Sequence, residues 1–362
     1  MAVAHCPAMT SPLAPEPRRA RAARAVAAIV AHAVSLPRRL VLPLLALAAG
    51  VTQAAGLRMI EVPADAQGPA LRGAVWTPCA TPPGPVGIGP LTLEAVRNCP
   101  VQGAPLPLVI VSHGSGGTAF SHHDTAAALA DAGFAVAAIS HPGDNAQDLS
   151  RQGQLSAFAT RPADMRRLTD YLLGAWPGHA ELDPGRIGFF GFSRGGTTGL
   201  VALGAVPDFT QRPELCPAGS PIPLCTEIRN RSWPAVPAPD PRIRAAVIAD
   251  PLNFFTPETL QAVKAPVQLW ASALGGDGVT PGSVEALRRA LPAAPEWHGV
   301  PQAGHFAFLA PCPASLAERL PALCRDAPGF DRSAFHAAFH REVIAFLRQQ
   351  LAPAGASGPS AR

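Results

Sequence analysis

From about residue 57 onward the chain alternates short apolar runs with longer mixed stretches, the pattern expected when buried strands alternate with amphipathic helices. Leu57–Val62 and Leu71–Trp76 read as two edge strands. Pro107-Leu108-Val109-Ile110-Val111-Ser112 is apolar without interruption, as a strand covered on both faces requires. The same holds for 134–140, 186–190, 243–249 and 266–272, with a last strand near 296–300. Helical spacing falls at about 119–132, from Pro162 to Leu173 with the proline in a first turn, at 194–205, at 281–291 and at 332–350. Residues 77–105 hold seven prolines and read as a surface loop. Residues 206–241, also rich in proline, read as an insertion lying near the site as a cap. The whole predicts one α/β domain over 55–351 and a flexible tail over 352–362.

Behind the run 186–190 stands Gly191-Phe192-Ser193-Arg194-Gly195, followed by the small-residue stretch Gly196-Thr197-Thr198-Gly199. Strand, tight turn and helix with a serine at the apex is a nucleophile elbow, which presents Ser193 Oγ above the sheet edge. A serine hydroxyl is a weak nucleophile, so it needs a histidine to take its proton and a carboxylate to orient that imidazole. In this arrangement the chain order is serine, acid, histidine, which sets aside His113, His122, His123 and His141. Of the later histidines, only His305, in Val300-Pro301-Gln302-Ala303-Gly304-His305-Phe306, follows the last strand in a turn-forming loop. His336 and His340, four apart on the terminal helix, read as its polar face.

Two carboxylates are admissible. Asp277, in Gly275-Gly276-Asp277-Gly278, sits in a loop built to reach across to a histidine and is preferred. Asp250, at the end of strand 243–249, is the alternate acid. The tetrahedral oxyanion would be held by two backbone amides, that of Arg194 and that of Ser115 in His113-Gly114-Ser115-Gly116-Gly117. This glycine-rich loop has neither the lysine nor the spacing of a phosphate-binding loop.

Ser112-His113-Gly114-Ser115-Gly116-Gly117, Ser140-His141-Pro142-Gly143, Asp183-Pro184-Gly185-Arg186-Ile187, Gly191-Phe192-Ser193-Arg194-Gly195-Gly196 and Gly304-His305-Phe306 together resemble α/β-hydrolases of the predicted dienelactone hydrolase type, close to platelet-activating-factor acetylhydrolase. The resemblance covers about 105–310. It implies a mostly parallel eight-stranded sheet with helices on both faces, no cofactor, and cleavage of small or short-acyl esters through an acyl-enzyme. Dienelactone hydrolases use a cysteine nucleophile where this chain has Ser193. Acetylhydrolases place the acid after the strand that ends here in Asp250, whereas most α/β-hydrolases place it where Asp277 stands. Other uses of the same fold and residues are a thioesterase, a peptidase, or a binding protein without activity.

Composition and charge refine this picture at the N-terminus. Residues 1–54 carry six arginines against one acid, and the remainder holds 23 basic and 24 acidic side chains. So balanced a body gives no electrostatic footprint for nucleic acid. Pro37-Arg38-Arg39, the apolar run 40–51 and Thr52-Gln53-Ala54-Ala55 read as an export signal with a small-residue cleavage site, too short and too interrupted for a stable membrane span. The expected location is periplasmic or secreted. Beyond Cys6 the cysteines come as neighbours, Cys79 with Cys99, Cys216 with Cys225 and Cys312 with Cys324, and sequential disulfides fit an exported chain. No C-x-x-C pair suggests zinc. The expected partner is a small-molecule ester.

Overall fold

A computed structural model describes residues 54–353 except 104 and 213–215; the stretch read as an export signal, up to residue 53, and all but the first two residues of the tail 352–362 lie outside the described residues. The strands are β1 (Ala54–Val62), β2 (Leu71–Cys79), β3 (Gly84–Ile88), β4 (Leu91–Arg97), β5 (Leu106–Ser112), β6 (Ala135–Ser140), β7 (Leu182–Phe192), β8 (Ile243–Ala249), β9 (Val267–Ser272) and β10 (Glu296–Val300). They form one sheet in the order β10-β9-β8-β7-β5-β6-β2-β1-β4-β3. From β6 to β10 every pairing is parallel, while β2 runs antiparallel to both β6 and β1.

Two helical layers cover this sheet. Strand side chains alternate between them, as a period of two demands. Leu108, Ile110, Ile187, Phe189 and Ile248 belong to one core, with Met165, Leu168 and Leu172 of α2 (Ser156–Leu173), Leu200 and Val201 of α3 (Arg194–Ala202) and Leu287. Val109, Val111, Phe190, Phe192 and Val247 belong to the other, with Leu129 of α1 (His123–Asp131) and Phe339, Val343 and Phe346 near the C-terminus. The remaining helices are α4 (Pro223–Arg229), α5 (Pro281–Ala290), α6 (Ala314–Arg319), α7 (Pro321–Cys324) and α8 (Arg332–Gln350).

The sheet has ten strands where eight were expected. The extra pair is the hairpin β3–β4, inside the stretch read as a proline-rich loop. Its prolines fall at the edge and in the turn, and Leu93 and Ala95 alternate inward from β4. In α2, Pro162 stands in the helix interior instead of its first turn, because the helix starts at Ser156. The described residues of 206–241 line no part of the cavity that Ser193 and His305 share. The described part of this insertion buries Phe209 against Phe158 and Phe254, with Leu224, Ile228 and Trp233 packed on them, a satellite core of its own. All three disulfides pair neighbours, Cys79–Cys99, Cys216–Cys225 and Cys312–Cys324. Among the described residues no helix is long and apolar enough to cross a membrane.

Strand order fixes where a ligand can enter. After β5 the chain builds β6 on one side, then crosses to build β7 through β10 on the other. The connections leaving β5 and β7 diverge to opposite faces, which opens a crevice at the carboxyl ends of those two strands.

Candidate active site

Ser193 occupies the turn between β7 and α3 with φ 55° and ψ −122°, a conformation that a side chain adopts only at about 1–3 kcal/mol of strain. The backbone holds it there. Ser193 N donates to Ala249 O (2.9 Å), and its carbonyl accepts from the amides of Gly196 and Thr197. The flanking glycines are a steric requirement: a Cβ on Gly195 would lie 1.9 Å from Ser112 O, and one on Gly191 would lie 2.2 Å from Gly195 O.

His305 begins a 3-10 turn, His305–Phe308, after β10. Its Nδ1 lies 2.7 Å from Asp250 Oδ2, and both side chains are buried. Asp250 also accepts from Ser272 N (2.9 Å) and Ser272 Oγ (2.6 Å), so its carboxylate is held on three sides. The other imidazole nitrogen, Nε2, is buried with no hydrogen-bond partner. His305 and Ser193 line one cavity.

The acid opposite His305 is therefore Asp250, the alternate of the sequence reading, and Asp277 does not make that contact. Asp277 is exposed at the cavity edge. Its loop serves the histidine through the backbone: His305 N donates to Gly275 O (2.8 Å), and a Cβ on Gly276 would stand 3.2 Å from that of His305. The left-handed run Gly275, Gly276, Asp277, Gly278 lets this turn pack close against the backbone and Cβ of His305.

Ser115 also lines the cavity, opposite the elbow. Arg194 is the first residue of α3, so its amide has no acceptor within the helix. Beneath Ser115 lies a buried charge cluster that the sequence reading missed. Asp144 accepts from Ser115 Oγ and Gly116 N (both 3.1 Å) on one oxygen, and from Arg161 Nε (3.0 Å) and Arg194 Nη1 (2.7 Å) on the other. Arg161 donates further to the carbonyls of His113 and Gly114. Burial pushes the Asp144 carboxyl up, but the two guanidiniums more than reverse this and hold it below the usual carboxylate range. Desolvation lowers Arg161 to about 10, which leaves it charged at neutral pH. The signal was Asp144 one residue past Ser140-His141-Pro142-Gly143.

Three other histidines brace the site from behind. His122 Nδ1 meets Phe308 O (3.2 Å) and His336 Nε2 meets Ala307 O (2.8 Å), both on the turn that carries His305. His336 Nδ1 also contacts Asp124 Oδ2 (2.6 Å), and His340 Nε2 lies 3.5 Å from the same oxygen. Burial would raise the Asp124 carboxyl, yet hydrogen bonds from His336 and His340 hold it well below the ordinary value. His336 is thus an internal clamp, 2% exposed, where a polar helix face was expected. Ser112 Oγ, His141 Nε2, His141 Nδ1 and Asp164 Oδ2 form a second serine–histidine–aspartate chain at 2.9 and 3.0 Å. Ser112 and His141 are fully buried and line no cavity described.

The cavity measures about 480 Å³. Its walls come from Ile88 and Leu91 at the β3–β4 turn, Phe120 and Phe306, and the segment 309–324 closed by Cys312–Cys324. None of the described residues of 206–241 lines it.

The arrangement of strands and helices coincides with a known architecture. A ferulic acid esterase from Streptomyces cinnamoneus superimposes with a TM-score of 0.58 at 19% identity, over 86% of this chain and 95% of that one. The chain has the α/β-hydrolase fold. A dienelactone hydrolase from Anabaena variabilis overlaps at a TM-score of 0.46 and 19% identity, over 82% of this chain and 99% of that one, a level that supports no conclusion. No protein family and no curated protein matches the sequence. Since 938 chains of solved structure match, the α/β-hydrolase fold alone does not name a reaction, and function must be argued from the site.

Proposed function

We propose that the protein is a serine hydrolase of carboxylic esters. The observation that carries this is the 2.7 Å contact of His305 with Asp250, with the far imidazole nitrogen buried and unpartnered and with His305 and Ser193 lining one cavity. In this reading Ser193 Oγ attacks the ester carbonyl carbon while His305 Nε2 takes the hydroxyl proton. Asp250 keeps the opposite nitrogen protonated and offsets the imidazolium charge. The carbonyl oxygen gains the displaced electron pair and is held by the amides of Ser115 and Arg194. His305 then gives its proton to the departing alcohol as the carbon–oxygen bond breaks, leaving an acyl-enzyme. Water, deprotonated by the same nitrogen, releases the acid and restores Ser193. The esterase named for the Streptomyces structure supports an ester, over a thioester or a peptide, as the substrate class.

A fluorophosphonate probe tests the first step: it should label the wild type at Ser193 and leave Ser193→Ala unlabelled. An unlabelled wild type, or a Ser193→Ala variant that hydrolyses nitrophenyl esters at the wild-type rate, rejects the proposal. We infer in addition that the chain is exported. Three paired disulfides and the leader pattern of residues 37–55 support this. Fusion of residues 1–56 to a reporter active only outside the cytoplasm checks it.

A further inference from the structure

The catalytic side chains account for one end of the cavity; the opposite walls have no role in that chemistry. They are built from aliphatic side chains on two peripheral devices, the β3–β4 turn (Ile88, Leu91) and the stapled segment that holds α6 and α7 (Leu316, Leu320, Leu323). Ile88 and Leu91 pack at the edge of one main core, whereas Leu316, Leu320 and Leu323 belong to neither. Leu320 is 45% exposed although it is large and apolar. A fold gains little from such a residue, whereas a concave wall that must shed water to bind gains much. Leu320 breaks the chain between α6 and α7, yet Leu316, Leu320 and Leu323 all line the cavity, so the side of the segment that borders it is apolar. Cys312 and Cys324 both line the cavity, and their bond closes the ends of that segment. Among the described residues no lysine or arginine lines the cavity, and Asp277 at its edge is the only carboxylate there. A volume of about 480 Å³ falls in the range for drug-sized ligands and exceeds what an acetyl group fills.

We infer that the Cys312–Cys324 segment, facing the β3–β4 turn, is the substrate-selecting wall of this site, and that it selects esters whose larger half is a medium-length or bulky apolar, uncharged group. This rests on the esterase reading and departs from the short-acyl substrates that the sequence resemblance implies. An ester lies with its carbonyl between Ser193 and the two amides and its apolar half along Leu91, Leu316, Leu320 and Leu323. An anionic tail meets no compensating cation and is repelled by Asp277.

The test is a series of nitrophenyl esters from acetate to dodecanoate, with a matched ester ending in a free carboxylate, assayed on wild type, Leu320→Lys and the double variant Cys312→Ser/Cys324→Ser. Each methylene that enters the wall should raise wild-type kcat/KM by up to about four-fold until the cavity is full. The carboxylate-tailed ester should fall at least about ten-fold below its neutral counterpart. Ratios of kcat/KM between long and short esters cancel any loss of folded enzyme. In Leu320→Lys the decanoate-to-acetate ratio should drop at least about ten-fold and the carboxylate-tailed ester should recover relative to its neutral match. In the double-serine variant the ratio should flatten. A wild-type profile that peaks at acetate overturns the inference, as does an unchanged ratio in Leu320→Lys or in the double-serine variant. Absence of any Ser193-dependent ester cleavage would instead reject the esterase reading beneath it.

Discussion

Replacing Asp144 by asparagine should lower both stability and turnover, because one carboxylate neutralises two buried guanidiniums and ties down the loop that carries Ser115. Arg161 and Arg194 lie 2.9 and 2.7 Å from the same oxygen, with all three side chains nearly inaccessible. Removing one partner of a buried ion pair costs about 3–5 kcal/mol, since the charge left behind stays desolvated. At about 2.1 cal/mol/K per residue, a body of about 300 residues unfolds with an entropy near 0.6 kcal/mol/K, so the melting temperature should fall by about 5–8 °C. Turnover has a separate route to loss. Asp144 Oδ1 accepts from Ser115 Oγ and Gly116 N; an oxyanion donor removed outright costs about 10²–10³ in kcat, so one merely misaimed should cost ~10–100-fold. Thermal denaturation and steady-state hydrolysis of a nitrophenyl ester read the two effects. Asp183→Asn is the control, since its pair with Arg186 is a partly exposed i,i+3 contact and should shift melting by less than about 2 °C. If Asp144→Asn melts within about 2 °C of wild type and turns over normally, the cluster is not holding the loop.

Asp250→Asn should reduce kcat by about 10³–10⁴-fold with KM little changed, while Asp277→Asn should stay within about ten-fold on a neutral ester; parallel kinetics decide, and the reverse ranking would return Asp277 to the triad. Gly195→Ala should fail to fold or melt far below wild type, because the new Cβ would stand 1.9 Å from Ser112 O; a variant with normal melting would show that the elbow relaxes freely. Desolvation lowers buried His122 to about 4, and a histidine that binds its proton more weakly when folded adds stability that is whole above pH 6.5 and lost as pH falls toward 4, by about 3 kcal/mol. Urea titrations of His122→Asn should lack that acid-side decline. Desolvation raises Asp164 to about 7, so the folded chain holds a proton that the unfolded chain releases, and stability drops as pH rises from about 4 to 7. Asp164→Asn should gain on wild type across that window by up to about 4 kcal/mol, measured by urea unfolding at pH 5 and pH 8.

The parallel strands were legible because each is a continuous apolar run, and burial on both faces leaves no other pattern available. Ser193 and His305 were legible for a related reason: each stands directly after such a run, in a turn whose glycines announce it. The acid was not. Asp250 and Asp277 both follow strands at the same end of the sheet, and sequence cannot say which carboxylate points along β8 toward the imidazole and which loop supports it by main-chain contact. The glycines at 275–278, taken as reach for a side chain, are there for close backbone packing against His305. The hairpin β3–β4 was hidden by prolines that an edge position tolerates. The wall at 312–324 was hidden by prolines as well, although Leu316, Leu320 and Leu323 at helical spacing carried its trace. The cluster of Asp144 with Arg161 and Arg194 left only the place of Asp144 beside Ser140-His141-Pro142-Gly143, since a buried charge cluster assembles from separate segments and obeys no local period.

The chain through Ser112, His141 and Asp164 repeats the chemistry of the catalytic side chains in a sealed setting. Its hydroxyl and imidazole sit as near one another as a nucleophile and its base should, yet neither a carbonyl carbon nor a phosphorus reagent can approach them. A search for hydrogen-bonded serine, histidine and aspartate side chains would return Ser112, His141 and Asp164, and selective chemical modification should pass them by. With Ser193 as the nucleophile we propose, reactivity is conferred by a path from bulk solvent, and a structural hydrogen-bond chain and a catalyst share one blueprint within one molecule.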